Sequence, residues 1–206
     1  MQASSQTAFN QKKRIATLWL LAIAFLLTIV FSRPLWGDGT EIHETVEVAG
    51  LVLVFFAMLG RLWSILYIGA HKNRSLVTAG PYSMTRNPLY FFSLVGIAGI
   101  GLMFGSALLT AALTLSCYAV FRYTAMREAA YLASLFGEAY DRYAASTPLL
   151  LPNPRLYSGP AEVTFSQAAL TTTFFDCLFL IALFPLIEGV EMLQAGGYLT
   201  ALIAIP

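Results

Sequence analysis

The sequence predicts an all-α fold, a polytopic transmembrane helical bundle of about five spans. Three observations carry that prediction. Hydrophobic residues make up 58% of the 206-residue chain and charged residues only 11%, where soluble domains carry roughly 25%. Mean hydropathy is +0.70, and the apolar residues gather in runs long enough to cross a bilayer. The polar residues gather between those runs, above all from Ser75 to Tyr90, where Gly80-Pro81 and Asn87-Pro88 take the backbone out of a helix and back into one.

The elements follow in order. Behind a polar head carrying Lys12, Lys13 and Arg14, residues Ile15 to Phe31 form a first span, closed by Arg33-Pro34; the run is longer than the apolar core of a signal peptide and lacks a small-residue cleavage site. The next loop holds Asp38, Glu41, Glu44 and Glu47, and basic residues before the span with acidic ones after it place the N-terminus in the cytoplasm. A second span from Val46 to Gly69 returns to His71, Lys72, Asn73 and Arg74, so the polar segment at 75–90 faces the cytoplasm as well. Leu89 to Phe104 and Ala107 to Phe121 read as a helical hairpin turning at Gly105-Ser106, which brings Arg122 and Arg127 back to the same side. From Tyr123 to Tyr143 the pattern becomes amphipathic, predicting a helix that leaves the membrane. Pro148, Pro152 and Pro154 open a loop, and Ala168 to Ile187 forms the last full span. The tail from Met192 to Ile205 is short for a crossing and is compatible with a re-entrant, interfacial or short sixth segment. Residues 1–70 thus read as an N-terminal hairpin, 71–155 as a functional core and 156–206 as a C-terminal segment.

Several functions are disfavoured at this level. A net charge of +1 offers no polyanion-binding surface, so no nucleic-acid partner is expected. Cys117 and Cys177 lie in apolar runs without zinc-type spacing, so neither a disulfide framework nor a metal site is expected. Gly96, Gly99, Gly101 and Gly105 lack a preceding strand and the dinucleotide spacing; close helix packing explains them better. Arg61, about eight residues or roughly 12 Å inside the second span, either snorkels to the interface or faces a site. Asp176 is an acid within an apolar block. Arg86 at a span end is equally a candidate for lipid phosphate, and Tyr140 and Tyr143 for interfacial anchors.

Two separated blocks carry a resemblance. Arg74-Ser-Leu-Val-Thr-Ala-Gly-Pro-Tyr-Ser-Met-Thr-Arg-Asn-Pro-Leu-Tyr90, followed one hairpin later by Arg127-Glu128, Leu132, Phe136-Gly137 and Tyr140-Asp-Arg-Tyr143, resembles the integral membrane methyltransferases of the isoprenylcysteine carboxyl methyltransferase family, with related phospholipid and thiol methyltransferases, over residues 60–152. The resemblance implies S-adenosylmethionine bound at the cytoplasmic membrane face and a lipidic or small amphiphilic acceptor entering from the bilayer: an isoprenylcysteine-like carboxylate, a phospholipid amine or a thiol. Carried over by position, it implies cofactor contacts at Arg74, Ser75, Leu76 and Val77, at Tyr82, at Asn87, Pro88, Leu89 and Tyr90, and at Glu128, with Tyr67 at a further contact position. Arg127 and Glu128 are the implied catalytic pair. The chain departs from the family where Arg86-Asn87-Pro88 replaces Arg-His-Pro, where Ala129 follows Glu128 in place of a second glutamate, and where Thr124 stands at a substrate-binding arginine; Arg127 and Arg122 are the sequence candidates for that lost guanidinium. An asparagine cannot shuttle a proton near neutral pH, so no titrating histidine belongs to the mechanism. The alternatives are a sterol-reductase-like enzyme using NADPH, and a non-catalytic membrane scaffold of the same fold. Oligomeric state is not legible in the sequence.

Overall fold

The computed structural model describes residues 11–35, 40–70 and 75–205. Asp38, His71, Lys72, Asn73 and Arg74 lie outside the described residues. Among the described residues, seven helices and two short strands follow one another: α1 Gln11–Phe31, β1 Ser32–Pro34, α2 Glu41–Ile68, α3 Pro81–Met84, α4 Pro88–Met103, α5 Ala107–Phe136, α6 Glu138–Ser146, α7 Gln167–Ala195 and β2 Ile203–Ile205, with a 3-10 turn at Pro154–Leu156. Among the described residues, α1, α2, α5 and α7 are long and apolar enough to cross a bilayer. Helix α4 is apolar but only 16 residues long, which is about 24 Å against a hydrocarbon core of about 30 Å. The protein is an integral, multi-pass membrane protein.

Local chemistry sets the helix starts. Thr40 Oγ1 accepts from the His43 amide at 3.3 Å, Ser106 Oγ from Leu109 at 3.1 Å and Ser166 Oγ from Ala169 at 3.3 Å, each satisfying an amide that the first turn would leave bare. Pro81 and Pro88 open α3 and α4, positions where the missing N–H costs nothing. The Thr40 cap, with Glu41 and Glu44 in the first turn, explains why α2 starts at Glu41 rather than at Val46, since carboxylates there complement the helix dipole.

The predicted separate amphipathic helix from Tyr123 does not exist as such. Helix α5 runs unbroken from the membrane to Phe136, because nothing between Ala107 and Phe136 breaks a helix. The break comes at Gly137, whose φ of +52° favours a residue without Cβ, and α6 then turns back. The tail is not a sixth span: after α7 ends at Ala195, β2 pairs in parallel with β1, Ser32 opposite Ile203 and Pro34 opposite Ile205. Gln194 reinforces that end by donating through Nε2 to the carbonyls of Ile29, Val30 and Ser32 at 3.0–3.2 Å, the orphaned acceptors at the C-terminus of α1.

Helices α2 and α4 form the most extensive pair, and glycines let them touch. A Cβ on Gly50 would lie 2.5 Å from the Gly99 carbonyl oxygen, and one on Gly99 would lie 2.6 Å from the Gly50 oxygen. Arg61 is tied to the neighbouring helix: its Nη1 donates to Ser93 Oγ on α4. Apolar side chains pack in two clusters. One, around Phe25, Ile29, Val54, Ile100, Met103 and Phe104, lies toward the β1–β2 end. The other, Leu94, Cys117 and Phe121 with Leu18, Leu21 and Tyr90, lies beneath the opposite end. Outward-facing Trp19, Leu20, Phe55, Phe56, Leu59, Phe175 and Phe179 are exposed, as expected of surfaces bathed in lipid tails.

Candidate functional site

The segment from Ser75 to Tyr90 is held in place by the proline-rich stretch that follows α6. Gly80 donates its amide to Ser158 O at 2.7 Å, Arg86 to Pro148 O at 2.9 Å, and Asn153 to Met84 O at 2.9 Å. Ser83 Oγ accepts from the Ser158 amide at 2.9 Å while donating to Gly80 O at 2.7 Å. Tyr143 Oη donates to Tyr82 O at 2.6 Å, and Asn87 Nδ2 donates to Leu149 O at 3.0 Å. Asn87 therefore serves as a brace between two loops. Arg86 is turned inward, its Nη1 donating to the buried Tyr140 hydroxyl at 3.3 Å, and does not present itself to lipid phosphates. Tyr140 and Tyr143 brace the loop rather than anchoring in the interface.

Gly80 is the tightest point of this loop. Its φ is +60°, and a Cβ there would lie only 2.3 Å from Cζ of the buried Tyr67 ring. Both the conformation and the space require glycine. Gly80→Ala is expected to speed amide hydrogen exchange across residues 79–90 by about tenfold or more, the equivalent of about 1.4 kcal/mol of local stability; unchanged exchange would mean that Tyr67 does not pin this loop. Burial pushes the Tyr82 phenol above its ordinary value and does the same to Tyr143, where Tyr140 adds to the effect. Both stay protonated donors at any physiological pH.

The two blocks of the sequence meet at Tyr90 and Glu128. Tyr90, in the first turn of α4, donates through Oη to Glu128 Oε1 at 2.8 Å, 38 residues away on α5. Its ring stacks on Phe121, with centroids 5.1 Å apart and planes 9° apart. A third residue completes the arrangement: Arg14, from the start of α1, donates to Tyr90 Oη at 2.6 Å, stands 3.6 Å from Glu128 Oε1, and places Cζ 5.7 Å from the Tyr90 ring centroid. In sequence Arg14 reads only as an orientation signal. The signal that would have found it is topological: Arg14 opens the first span and the 75–90 segment follows the second, so an even number of crossings sets both at the same end of the bundle.

The remaining predicted residues are distributed around this centre. Leu76, Val77 and Leu89 are half-buried, Pro88 is buried and Ser75 is exposed; Arg74 is outside the described residues. Arg127 and Arg122 are both exposed on α5. Thr124 is buried and donates to Val120 O at 2.8 Å. At the far end of α2, about 36 Å from Tyr67 at the helical rise, a cavity of about 280 Å³ is lined by His43, Glu44, Glu47, Glu188, Glu191, Met192 and Ala195. It lies apart from the Tyr90–Glu128 centre.

A family model for phospholipid methyltransferases matches residues 46–139, which hold both Tyr90 and Glu128. Over nearly the whole chain, the cobalt-zinc-cadmium resistance protein CzcN of Cupriavidus metallidurans is 33% identical, covering 96% of this chain and 90% of its own. The chain belongs to the phospholipid methyltransferase family. Within that family it is also similar to the nickel-cobalt-cadmium resistance protein NccN of Alcaligenes xylosoxydans xylosoxydans, 29% identical over 97% of this chain and 92% of the relative. A protein-S-isoprenylcysteine O-methyltransferase of Schizosaccharomyces pombe is 30% identical over 40% of this chain and 35% of its own. No solved structure matches the chain.

Proposed function

We propose that this protein is an S-adenosylmethionine-dependent methyltransferase that acts at the cytoplasmic membrane face on a lipidic or small amphiphilic acceptor. The observation that carries the reading is the Tyr90–Glu128 hydrogen bond on the Phe121 stack, which joins the loop block and the α5 block at one point. The donor set suits the cofactor. The half-buried Tyr90 ring, backed by Phe121, suits an adenine, the Glu128 carboxylate can accept from ribose hydroxyls or an ammonium, and half-buried Leu76, Val77 and Leu89 supply apolar wall.

When bound, the cofactor supplies an already activated methyl group. The protein's part is then to orient an acceptor and keep water out, an arrangement that contributes several kcal/mol through positioning. The braces from Asn87, Tyr143 and the Pro148–Ser158 stretch hold the loop for that purpose. For an acceptor that must lose a proton, Glu128 is the base within reach of Tyr90; a carboxylate or thiolate needs none.

Calorimetric titration of the purified protein with S-adenosylmethionine, S-adenosylhomocysteine and NADPH tests the reading. Micromolar binding of the first two and none of the third is expected. Binding of NADPH alone would move the chain to reductase chemistry, and silence from all three would leave a membrane scaffold. The likeness to two proteins named for metal resistance supports seeking the acceptor by labelled-methyl transfer into membranes of cells challenged with cobalt, zinc or cadmium salts.

A further inference from the structure

Charge balance at the Tyr90–Glu128 centre points to a residue that the family resemblance does not supply. Arg14 and Glu128 form an ion pair at 3.6 Å with side-chain exposures of 19% and 35%, and Arg14 also bonds Tyr90 at 2.6 Å. A guanidinium keeps its proton at any working pH. If Glu128 turns its oxygens to a ligand's hydroxyls or ammonium, as the proposed function has it, Arg14 loses its counter-charge while remaining mostly buried at a membrane face. An uncompensated buried cation is costly. The cost disappears if the same ligand set brings a carboxylate, which a planar guanidinium can hold through two parallel N–H donors. The exposed Arg122 and Arg127 do not stand in this position.

We propose that Arg14, contributed by α1, is the carboxylate-receiving residue of this site, exchanging Glu128 for a ligand carboxylate. The inference rests on the methyltransferase reading. The carboxylate has two possible sources, the amino acid end of the methyl donor or the headgroup of the acceptor. In the second case a headgroup that carries a protonated amine and no carboxylate is disfavoured beside Arg14, because like charges repel strongly where water is scarce.

The test uses the full-length protein in lipid nanodiscs, as wild type, Arg14→Gln and Arg14→Lys. Calorimetry measures S-adenosylhomocysteine, and 5′-methylthioadenosine, which lacks the amino acid end. Dodecanoate and dodecylamine are then titrated onto protein saturated with S-adenosylhomocysteine. If the donor supplies the carboxylate, Arg14→Gln weakens S-adenosylhomocysteine by about tenfold or more and leaves 5′-methylthioadenosine within about twofold, with partial rescue in Arg14→Lys. If the acceptor supplies it, both nucleosides bind as in wild type, and Arg14→Gln loses the preference for dodecanoate over dodecylamine by a similar factor. Equal weakening of both nucleosides, or no change in any of the four ligands, would overturn the proposal, the first leaving Arg14 a purely structural tie. Wild-type protein that binds neither nucleoside would instead bring down the methyltransferase reading, and this inference with it.

Discussion

Glu128→Gln is expected to weaken S-adenosylmethionine binding by about ten- to a hundredfold, the equivalent of about 1.5–3 kcal/mol for a lost charged hydrogen bond. The amide keeps the shape of the carboxylate and still accepts from Tyr90 Oη, now 2.8 Å away. It removes the negative charge that faces Arg14 at 3.6 Å. Tyr90→Phe provides the contrast, since it keeps the stack on Phe121 and deletes one hydroxyl. Its expected cost is smaller, about 0.5–1.5 kcal/mol. Calorimetry on detergent-purified variants with wild-type melting behaviour decides the matter. Affinities unchanged in both variants would remove Tyr90 and Glu128 from the cofactor site.

The second large effect is expected in the helix pair that carries Tyr90. Gly50→Ala would place a methyl 2.5 Å from the Gly99 carbonyl oxygen and 2.8 Å from the Met103 amide nitrogen. Both are backbone atoms inside α4, so neither can rotate away and the two helices must separate. Overpacking of that kind costs about 1–3 kcal/mol and lowers the apparent melting temperature by roughly 2–12 °C. Gly189→Ala on α7 is the control, because nothing lies within 4 Å of a Cβ there. Alanine is also the better helix former, so that variant should melt at or above the wild-type temperature. A Gly50→Ala protein as stable as Gly189→Ala would show that α2 and α4 do not meet through these glycines.

The spans were legible in the sequence because a segment in lipid must be apolar along its whole length and must satisfy its own backbone. The end of α5 was not legible. A change from apolar to amphipathic at Tyr123 alters what a helix faces without breaking it, and only Gly137 adopts a φ that ends it. The pairing of β1 with β2 was equally hidden, since Ser32 and Ile203 lie far apart in the chain and neither segment carries a strand pattern of any length. The two-block resemblance singled out Tyr90 and Glu128, and the fold brings the two into hydrogen-bonding contact. Arg14 was not legible: it lies 76 residues from Tyr90, and basic residues before a first span are common for reasons of orientation alone. In sequence Asn87 looks like a cofactor contact and Arg86 like a lipid-phosphate contact; the side chain of the first bonds Leu149 and that of the second Tyr140.

Helix α1 is fastened at both ends. Arg14 holds one end to Tyr90 and Glu128; Gln194 and the β1–β2 pair hold the other. Between them the helix turns Trp19, Leu20, Ile23 and Leu27 outward, and the two fastenings stand about 27 Å apart at the helical rise, close to the thickness of the hydrocarbon layer. A thinner or thicker bilayer must tilt or strain this helix, and the strain falls on the Arg14 contact. Acyl-chain length in the surrounding membrane thereby becomes a physical input to the site, and reconstitution in lipids of different chain length would tune it without any change of residue.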